Sequence, residues 1–250
     1  MKNQMTRNAF LYKLLVGTVV LIVVQDSLQA ETITFDGFDT ANEFGPNGVI
    51  IGSTHSGSPS STATDIAGAP GEVRFTTNVS TGGSGLYGHF LAASYNPSVQ
   101  AKSIYTIAYS LELRDPDLGS RSDGATTGFQ MVLRQNGKYF YGPNYDPDDS
   151  LSGYKAFNGT AVESSFLEND GTPFGVIAGS HPDFSVSGSE IEFAVATASG
   201  TASSVITPVR VGDLRNFSFT LSVPEPSSFG ILSLVLVGMN FRRRKKPATV

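Results

Sequence analysis

The stretch that decides the fold is Ile104-Tyr105-Thr106-Ile107-Ala108-Tyr109-Ser110-Leu111-Glu112-Leu113. Its large apolar and aromatic residues fall at every second position, with smaller or polar residues between them. Because successive side chains of a β-strand point to opposite faces, this period of two predicts a strand with one buried and one wetted face. Such a strand belongs to a sheet that covers an apolar core on one side.

The same period recurs along the chain. Gly128–Arg134 alternates in this way and leads through Asn136-Gly137 into the aromatic run Lys138-Tyr139-Phe140-Tyr141. Asn-Gly accepts left-handed backbone at both central positions of a tight turn, so this segment predicts a β-hairpin. Further strands are predicted at Thr32–Phe35, Val49–Ile51, Glu72–Thr76, His89–Ala92, Glu190–Thr197 and Phe217–Val223.

These strands predict an all-β fold. Residues 31–222 show no sustained helical periodicity and no repeat of fixed length, which favours a single two-sheet β-sandwich of jelly-roll type over a propeller or solenoid. The chain has no cysteine. Disulfides, thiolate metal ligands and a cysteine nucleophile are therefore excluded, and stability must come from the core.

The N-terminus has the order of a secretory signal peptide. Lys2, Arg7 and Lys13 precede the apolar run Leu14–Val24, and Leu28-Gln29-Ala30 follows with a small residue at its end. This order predicts a signal peptide at residues 1–30, removed by signal peptidase after Ala30. The alternative is an uncleaved N-terminal anchor.

The C-terminus combines three elements. Pro224-Glu225-Pro226 cannot continue a helix or strand and should present an extended peptide. The apolar run Phe229–Phe241 is shorter than the roughly 17–25 residues of a stable spanning helix. The basic run Arg242–Lys246 should stay in the cytoplasm. A plain single-pass anchor and a buried core helix are the alternatives.

Together these residues resemble the PEP-CTERM sorting tail of Gram-negative bacteria. The resemblance implies that residues 223–250 are a sorting tail in which an exosortase recognises Pro224, Glu225 and Pro226. It also implies a C-terminal membrane-sorting helix that is held briefly in the inner membrane. The expected destination of the secreted domain is the cell surface or the extracellular matrix.

The segment between the two signals is acidic. Glu31–Val223 carries 9 Lys and Arg against 20 Asp and Glu, a formal net charge of −11. Such a surface repels phosphate backbones, so nucleic acid is not an expected partner. It would attract divalent cations, and it also keeps a protein soluble.

Two edges of the predicted sandwich resemble carbohydrate-binding and lectin-like jelly rolls. They are Thr34-Phe35-Asp36-Gly37-Phe38-Asp39 and Gly212–Leu221, in which Leu214 and Arg215 separate the Asp and Asn of the class pattern. The resemblance implies a structural Ca²⁺ held by oxygen ligands from Asp36, Asp39, Asp213 and Asn216. The alternative is that Asp36 and Asp213 are turn residues. No other cofactor is predicted.

Aromatic residues cluster around the predicted hairpin. Tyr139, Tyr141, Tyr145 and Tyr154 could stack on sugar rings while nearby polar groups bind hydroxyls. The alternative is that alternate members lie in the core. The chain has no tryptophan, which weighs against a sugar platform.

Residues with catalytic chemistry are sparse. His55, His89 and His181 form no metal-binding spacing, and there is no Gly-x-Ser-x-Gly elbow. Only the strand glutamates Glu112, Glu190 and Glu192 could supply the facing carboxylate pair of a glycosidase. We therefore predict a non-enzymatic structural or adhesive protein of an exopolysaccharide or biofilm. A glycan-binding module is the alternative, and a glycoside hydrolase or lyase is less favoured.

Overall fold

Two antiparallel sheets carry most of the described chain, which in this computed structural model comprises residues 30–54, 59–78, 83–116, 127–145, 153–201 and 209–223. Thr32–Val223 forms one compact unit. The predicted signal peptide and sorting tail lie outside these ranges, apart from Ala30 and Val223. Among the described residues, no helix is long and apolar enough to cross a bilayer.

Thirteen strands and three short helical turns make up the described part. Sheet A contains β1 (Glu31–Phe38), β3 (Ser60–Asp65), β4 (Glu72–Asn78), β6 (Thr106–Arg114), β9 (Lys155–Ala161) and β13 (Val209–Val223). Sheet B contains β2 (Val49–Ser53), β5 (Gly83–Tyr95), β7 (Thr127–Gln135), β8 (Lys138–Tyr145), β10 (Leu167–Asn169), β11 (Val176–Ile177) and β12 (Ile191–Thr201). The helical turns are Ala41–Phe44, Pro97–Gln100 and Glu163–Ser165.

Most strands that are consecutive in sequence are not paired with each other in the sheets. Sheet A runs β3-β4-β13-β6-β9, with β1 also paired to β13, and sheet B runs β11-β10-β8-β7-β12-β5-β2. In sheet A, Asp213 of the central strand β13 lies opposite Arg74 on one side and Arg114 on the other. The architecture is a jelly-roll-like sandwich, as the sequence predicts.

The sandwich core is rich in phenylalanine. The ring of Phe219 lies 4.4 Å from that of Phe193 on sheet B and 4.6 Å from that of Phe35 on β1. Phe44 is fully buried and meets Phe75 edge-on at 5.6 Å. Each buried ring contributes about 1.5–3 kcal/mol, so aromatic packing can join the two sheets without disulfides.

The strand predicted at Ile104–Leu113 is β6, which begins two residues later. Tyr105 precedes it and is 62% exposed. Three of its residues are buried in the core, as the period of two requires: Ile107, Leu111 and Leu113. The alternation is confirmed, while the strand begins two residues and ends one residue later than predicted.

The predicted hairpin is also confirmed. Asn136 and Gly137 have φ of 53° and 76°, and Gln135 pairs with Lys138 across them. Both central residues are left-handed, which is the two-residue turn whose twist matches the flanking strands. The hairpin fixes how β7 and β8 align, and these two strands form much of the site described next.

Candidate functional site

The outer face of sheet B is the side that points away from sheet A. Met131 and Leu133 of β7 point into the sandwich core, so Val132 between them points outward. Val132 is nevertheless fully buried. It belongs to a second apolar cluster made of Ile51, Leu86, Val132, Tyr141, Ala194 and Ala196. The middle of this face is therefore covered.

The loop between β10 and β11, residues 170–175, packs against this face at Tyr141 and Gly52, and we call it the strap. On β8, the Tyr141 hydroxyl donates to the carbonyl oxygens of Thr172 and Pro173, at 3.4 and 3.3 Å. On β2, a Cβ added to Gly52 would lie 2.7 Å from the same Thr172 oxygen, so only glycine permits this approach. Three strands separate β8 from β2 in sheet B. Tyr141 and Gly52 therefore approach the same carbonyl oxygen, so residues of β8 and β2 converge on Thr172.

Polar side chains at its start hold the strap in shape. Asn169 Nδ2 donates to the carbonyl oxygens of Thr172 and Gly175, at 2.6 and 3.1 Å. Asp170 Oδ1 accepts from the Thr172 hydroxyl at 2.7 Å and from its backbone N–H at 2.9 Å. These bonds, the hydroxyl first, lower the pKa of Asp170. The strap is thus an ordered turn with its own internal hydrogen bonds.

One end of the outer face is filled by charged and aromatic side chains, and we call it the charged end. Arg134 donates two hydrogen bonds to the two carboxylate oxygens of Glu192, each 2.5 Å long. Its guanidinium lies 4.4 Å from the centroid of Phe90, whose ring is 6.1 Å from that of Tyr139. The bond to Glu192 raises the pKa of Arg134. The ion pair and the two tilted rings fill this end.

The other end of the outer face holds a pocket of about 570 Å³. Its lining consists of the polar residues Gln130, Asn144, Ser165 and Ser199, the rings of Tyr141 and Phe174, and the small or aliphatic residues Gly128, Gly142, Leu167, Val176 and Ala198. A volume of this size is typical of small-molecule sites, which range over about 300–1,000 Å³.

None of the described residues in this lining is charged, and the Ser199 side chain is fully buried. Gln130 Nε2 donates to the Gly142 carbonyl oxygen at 3.0 Å, which orients the amide. Phe174 comes from the strap and is 54% exposed, so its ring can stack on a ligand. Burial raises the pKa of Tyr141, whose hydroxyl stays a donor at neutral pH. Amides, hydroxyls and aromatic rings suit a neutral polyhydroxylated ligand.

The four tyrosines predicted to bind glycan do not share one surface. Tyr139 lies at the charged end, and Tyr141 lies beneath the strap and lines the pocket. Tyr145 is buried in the sandwich core, 5.2 Å from the ring of Tyr109. Tyr154 lies over sheet A. Only Tyr141 takes part in the pocket, and Phe174, Gln130 and Asn144 join it there without having been predicted.

A β-bulge explains part of this division. In a regular strand Tyr139, Tyr141 and Tyr145 would point to one face, because their numbers differ by even steps. The pairing of β7 with β8 shifts between Gln130 and Val132. The extra residue reverses the alternation in the second half of β8 and turns Tyr145 into the core.

Sheet A carries a network of ion pairs where the sequence predicts calcium. The fully buried Asp213 carboxylate accepts from Arg74 Nε at 2.7 Å and Nη2 at 3.0 Å. Arg114 donates to the same carboxylate from Nε at 3.1 Å and Nη2 at 2.5 Å. Two cations thus bracket this carboxylate, which leaves it no role as a cation ligand.

Tyr154 packs into the same network. The Arg215 guanidinium lies 3.9 Å from the centroid of its ring, and its hydroxyl donates to Glu72 at 2.6 Å. Burial, ahead of the bond to Glu72, raises the pKa of Tyr154. A guanidinium therefore occupies the ring face that a sugar would need.

The residues predicted to bind calcium do not fit a metal site. Asp36 and Asp39 are exposed, and Asn216 donates from Nδ2 to Glu112 at 2.9 Å. Within the described ranges, no group of three or more His, Asp or Glu side chains could hold a metal ion. Since Asp213 is also neutralised, these four residues do not form the oxygen shell that Ca²⁺ requires.

The strand glutamates do not form a facing pair that includes Glu112. Glu112 points outward from sheet A between buried neighbours, whereas Glu192 points outward from sheet B, on the opposite side of the sandwich. Hydrogen bonds from Asn216 and Arg215 lower the pKa of Glu112, so it stays ionised. Glu190 accepts from the Ser94 hydroxyl at 2.5 Å.

The two described histidines have structural hydrogen bonds. His89 is fully buried; its Nδ1 donates to the Gly45 carbonyl at 3.0 Å, and its Nε2 accepts from the Ser61 hydroxyl at 2.8 Å. His181 Nδ1 donates to the Phe166 carbonyl at 2.8 Å. Neither residue lines the pocket, and His55 lies outside the described residues.

Comparison with known proteins adds one assignment. No curated protein sequence matches the chain. Similar solved structures include a family 11 carbohydrate-binding module from Clostridium thermocellum in complex with a β-1,3-1,4-mixed-linked tetrasaccharide, at 11% identity over 76% of this chain and 96% of that chain, with a TM-score of 0.36. Peanut lectin is 14% identical over 78% of this chain and 99% of that chain, with a TM-score of 0.38. Residues 222–245 match the PEP-CTERM protein-sorting motif, which confirms the resemblance seen in the sequence and marks the chain as an exported protein that reaches the cell surface or extracellular space through the membrane.

Proposed function

We propose that this chain is a non-catalytic protein of the cell surface or extracellular matrix, whose sandwich binds a neutral glycan in the pocket on sheet B. The observation that carries the proposal is the pocket's lining, whose described residues combine two aromatic rings with the hydrogen-bonding side chains of Gln130, Asn144 and Ser165 and carry no charge. Aromatic rings stack on pyranoses, while amides and hydroxyls bind sugar hydroxyls. The net charge of −11 over Glu31–Val223 disfavours anionic ligands as well. Through this pocket the protein would adhere to exopolysaccharide or biofilm matrix.

Export supplies the route to such a ligand. Signal peptidase would cleave after Ala30, and an exosortase would act at Pro224-Glu225-Pro226. Phe229–Phe241 would hold the chain in the inner membrane until then, with Arg242–Lys246 on the cytoplasmic side. The processed protein would then begin at Glu31.

The route is tested by the intact mass of protein recovered from outside the inner membrane. The mass should correspond to a chain from Glu31 to a residue close to Pro226, plus any attached group. Glu225→Gln keeps both prolines and should block processing without changing the fold. Recovery only as a membrane species that retains Arg242–Lys246 would show a plain anchor instead.

Glycan binding is tested by affinity electrophoresis of the purified protein in gels that contain neutral polysaccharides. Phe174→Ala should weaken retention about tenfold, because a stacked ring contributes about 1–1.5 kcal/mol. The matched control is Tyr105→Ala, which removes an aromatic residue that is 62% exposed and lies outside the pocket. Equal retention of both variants and the wild type would contradict the assignment of the pocket.

A purely structural role in the matrix is the second candidate. It is favoured by the middle of the outer face, where six residues are buried in an apolar cluster instead of forming an open groove. On that view the sandwich is a stable building block without a ligand. Retention by no polysaccharide in the electrophoresis, together with normal export, would favour this candidate.

A further inference from the structure

We propose that the pocket accepts the end of a glycan chain, or a free mono- or disaccharide, and not an internal stretch of a polymer. The inference rests on the proposed glycan binding and narrows its ligand. It depends on how the strap and the charged end divide the outer face of sheet B. An unobstructed sheet face would let a chain lie across several strands, with sugar units on both sides of the pocket.

The strap blocks that path in the middle of the face. It reaches Tyr141 on β8 and Gly52 on β2, and its Pro173 is buried. Val132 and Ala196 are packed with Tyr141 in the second apolar cluster and have no accessible surface. A chain that continued from the pocket along β7 would have to displace the strap from both contacts.

The charged end closes the same path further along. Gln130 of the pocket and Arg134 are four residues apart on β7, about 13 Å at the rise of a strand. This interval is spanned by the buried Val132 and then by the ion pair of Arg134 with Glu192. The pocket is therefore bounded on its β7 side by the strap and by a neutralised ion pair.

The lining also limits the chemistry of the chain end. Gln130, Asn144 and Ser165 offer neutral donors and acceptors, and Phe174 offers a ring face. None of the described lining residues is a cation that could pair with a carboxylate, sulfate or phosphate group. The terminal unit should therefore be an uncharged pyranose with free hydroxyls, and uronic acid ends should bind poorly.

The test uses mixed-linkage β-glucan, galactomannan and dextran, each intact and after partial acid hydrolysis that multiplies the chain ends at constant mass. The polysaccharides compete for the purified full-length protein against whichever immobilised polymer retains it. If chain ends are the ligand, a tenfold increase in the number of ends should lower the mass of competitor needed for half-inhibition about tenfold. Oligosaccharides of one to six units should reach full affinity at two units, with less than about a threefold gain beyond.

The outcomes separate this inference from the proposed function. Competition that falls on hydrolysis, or affinity that rises steadily up to six units, would overturn chain-end binding but keep glycan binding. Retention by no intact or hydrolysed polymer, with Phe174→Ala equal to wild type, would overturn both. Competition by chain ends that Phe174→Ala loses and Tyr105→Ala retains would support both.

Discussion

Replacing Asp213 by asparagine should destabilise the sandwich by about 3 kcal/mol, because the hydrogen bonds from two arginines lose their charged acceptor. The fully buried carboxylate accepts four hydrogen bonds, two from Arg74 and two from Arg114. Each bond to a charged group contributes about 1.5–3 kcal/mol when it is shielded from water. The arginine side chains are 37% and 30% exposed, so water compensates for much of the loss and the full sum does not apply.

The assay is urea unfolding followed by tyrosine fluorescence and far-UV circular dichroism. For a domain of this size, about 3 kcal/mol corresponds to a fall in Tm of roughly 6–12 °C. Asp36→Asn is the matched control, since Asp36 is exposed on β1 and its replacement should change stability by less than about 0.5 kcal/mol.

Calcium distinguishes the ion-pair network from the metal site that the jelly-roll resemblance implies. Because Asp213 is already neutralised, the wild-type Tm should be the same in millimolar calcium and in EDTA. A calcium-dependent rise in Tm that both Asp213→Asn and Asp36→Asn abolish would refute the network argument. So would a loss below about 1 kcal/mol in Asp213→Asn, since the carboxylate would then not be holding the arginines.

Three further predictions concern the strap, a turn and a buried histidine. Gly52→Val should displace the strap and cost about 1–3 kcal/mol, whereas Gly153→Ala, which meets no atom within 4 Å, should be neutral in the same urea titration. Gly137→Ala should cost about 1–2 kcal/mol, because φ of 76° is left-handed; a neutral result would show that the turn has another conformation. Burial lowers the pKa of His89 in the folded state. As pH falls below roughly 6.5, the unfolded chain therefore takes up the proton before the folded protein does. The free energy of unfolding should then drop by up to about 1.4 kcal/mol per pH unit until the folded-state pKa is reached. His89→Gln should remove this slope between pH 7.5 and 5, and an unchanged slope would assign it to another group.

The strands that the sequence predicts are those with apolar residues on one face. β6 and the hairpin of β7 and β8 have this pattern, and both are present. The sequence does not predict β3 (Ser60–Asp65) or β9 (Lys155–Ala161), which lie at the two edges of sheet A. Their serine, threonine, asparagine and glycine residues resemble a loop, because an edge strand takes its order from the partner beside it.

Buried polar residues are a second reason why β3 is not predicted from the sequence. Ser61 points into the sandwich and is nearly inaccessible, with its hydroxyl 3.1 Å from Thr77 Oγ1 and 2.8 Å from His89 Nε2. Thr77 continues the chain of hydrogen bonds to Thr197 of sheet B at 3.1 Å. A serine in such a network behaves as a core residue, yet no local pattern distinguishes it from a serine in a turn.

The sequence points to one residue of the pocket but not to the pocket itself. The sequence places aromatic and polar residues near the hairpin, and Tyr141 does line the pocket. A β-bulge turns Tyr145 into the core, and no residue type in this stretch predicts the bulge. The amides of Gln130 and Asn144 become neighbours only when β7 pairs with β8. Strand register is a property of two segments, so a single segment cannot reveal it.

The position of Phe174 also depends on a distant segment of the chain. Its surroundings, Asn169-Asp170-Gly171-Thr172-Pro173, have the composition of a polar turn, and the turn is indeed present with its own hydrogen bonds. Its docking site depends on Gly52, more than a hundred residues earlier, where the missing Cβ admits the Thr172 carbonyl. The turn chemistry fixes the shape of the strap, while the glycine fixes its place over sheet B.

If the strap sets the length of chain that can bind, then Gly52→Val should change ligand preference as well as stability. The variant should gain affinity for intact polymer relative to chain ends, and a loss of stability with unchanged preference would show that the strap supports the fold without shaping the site.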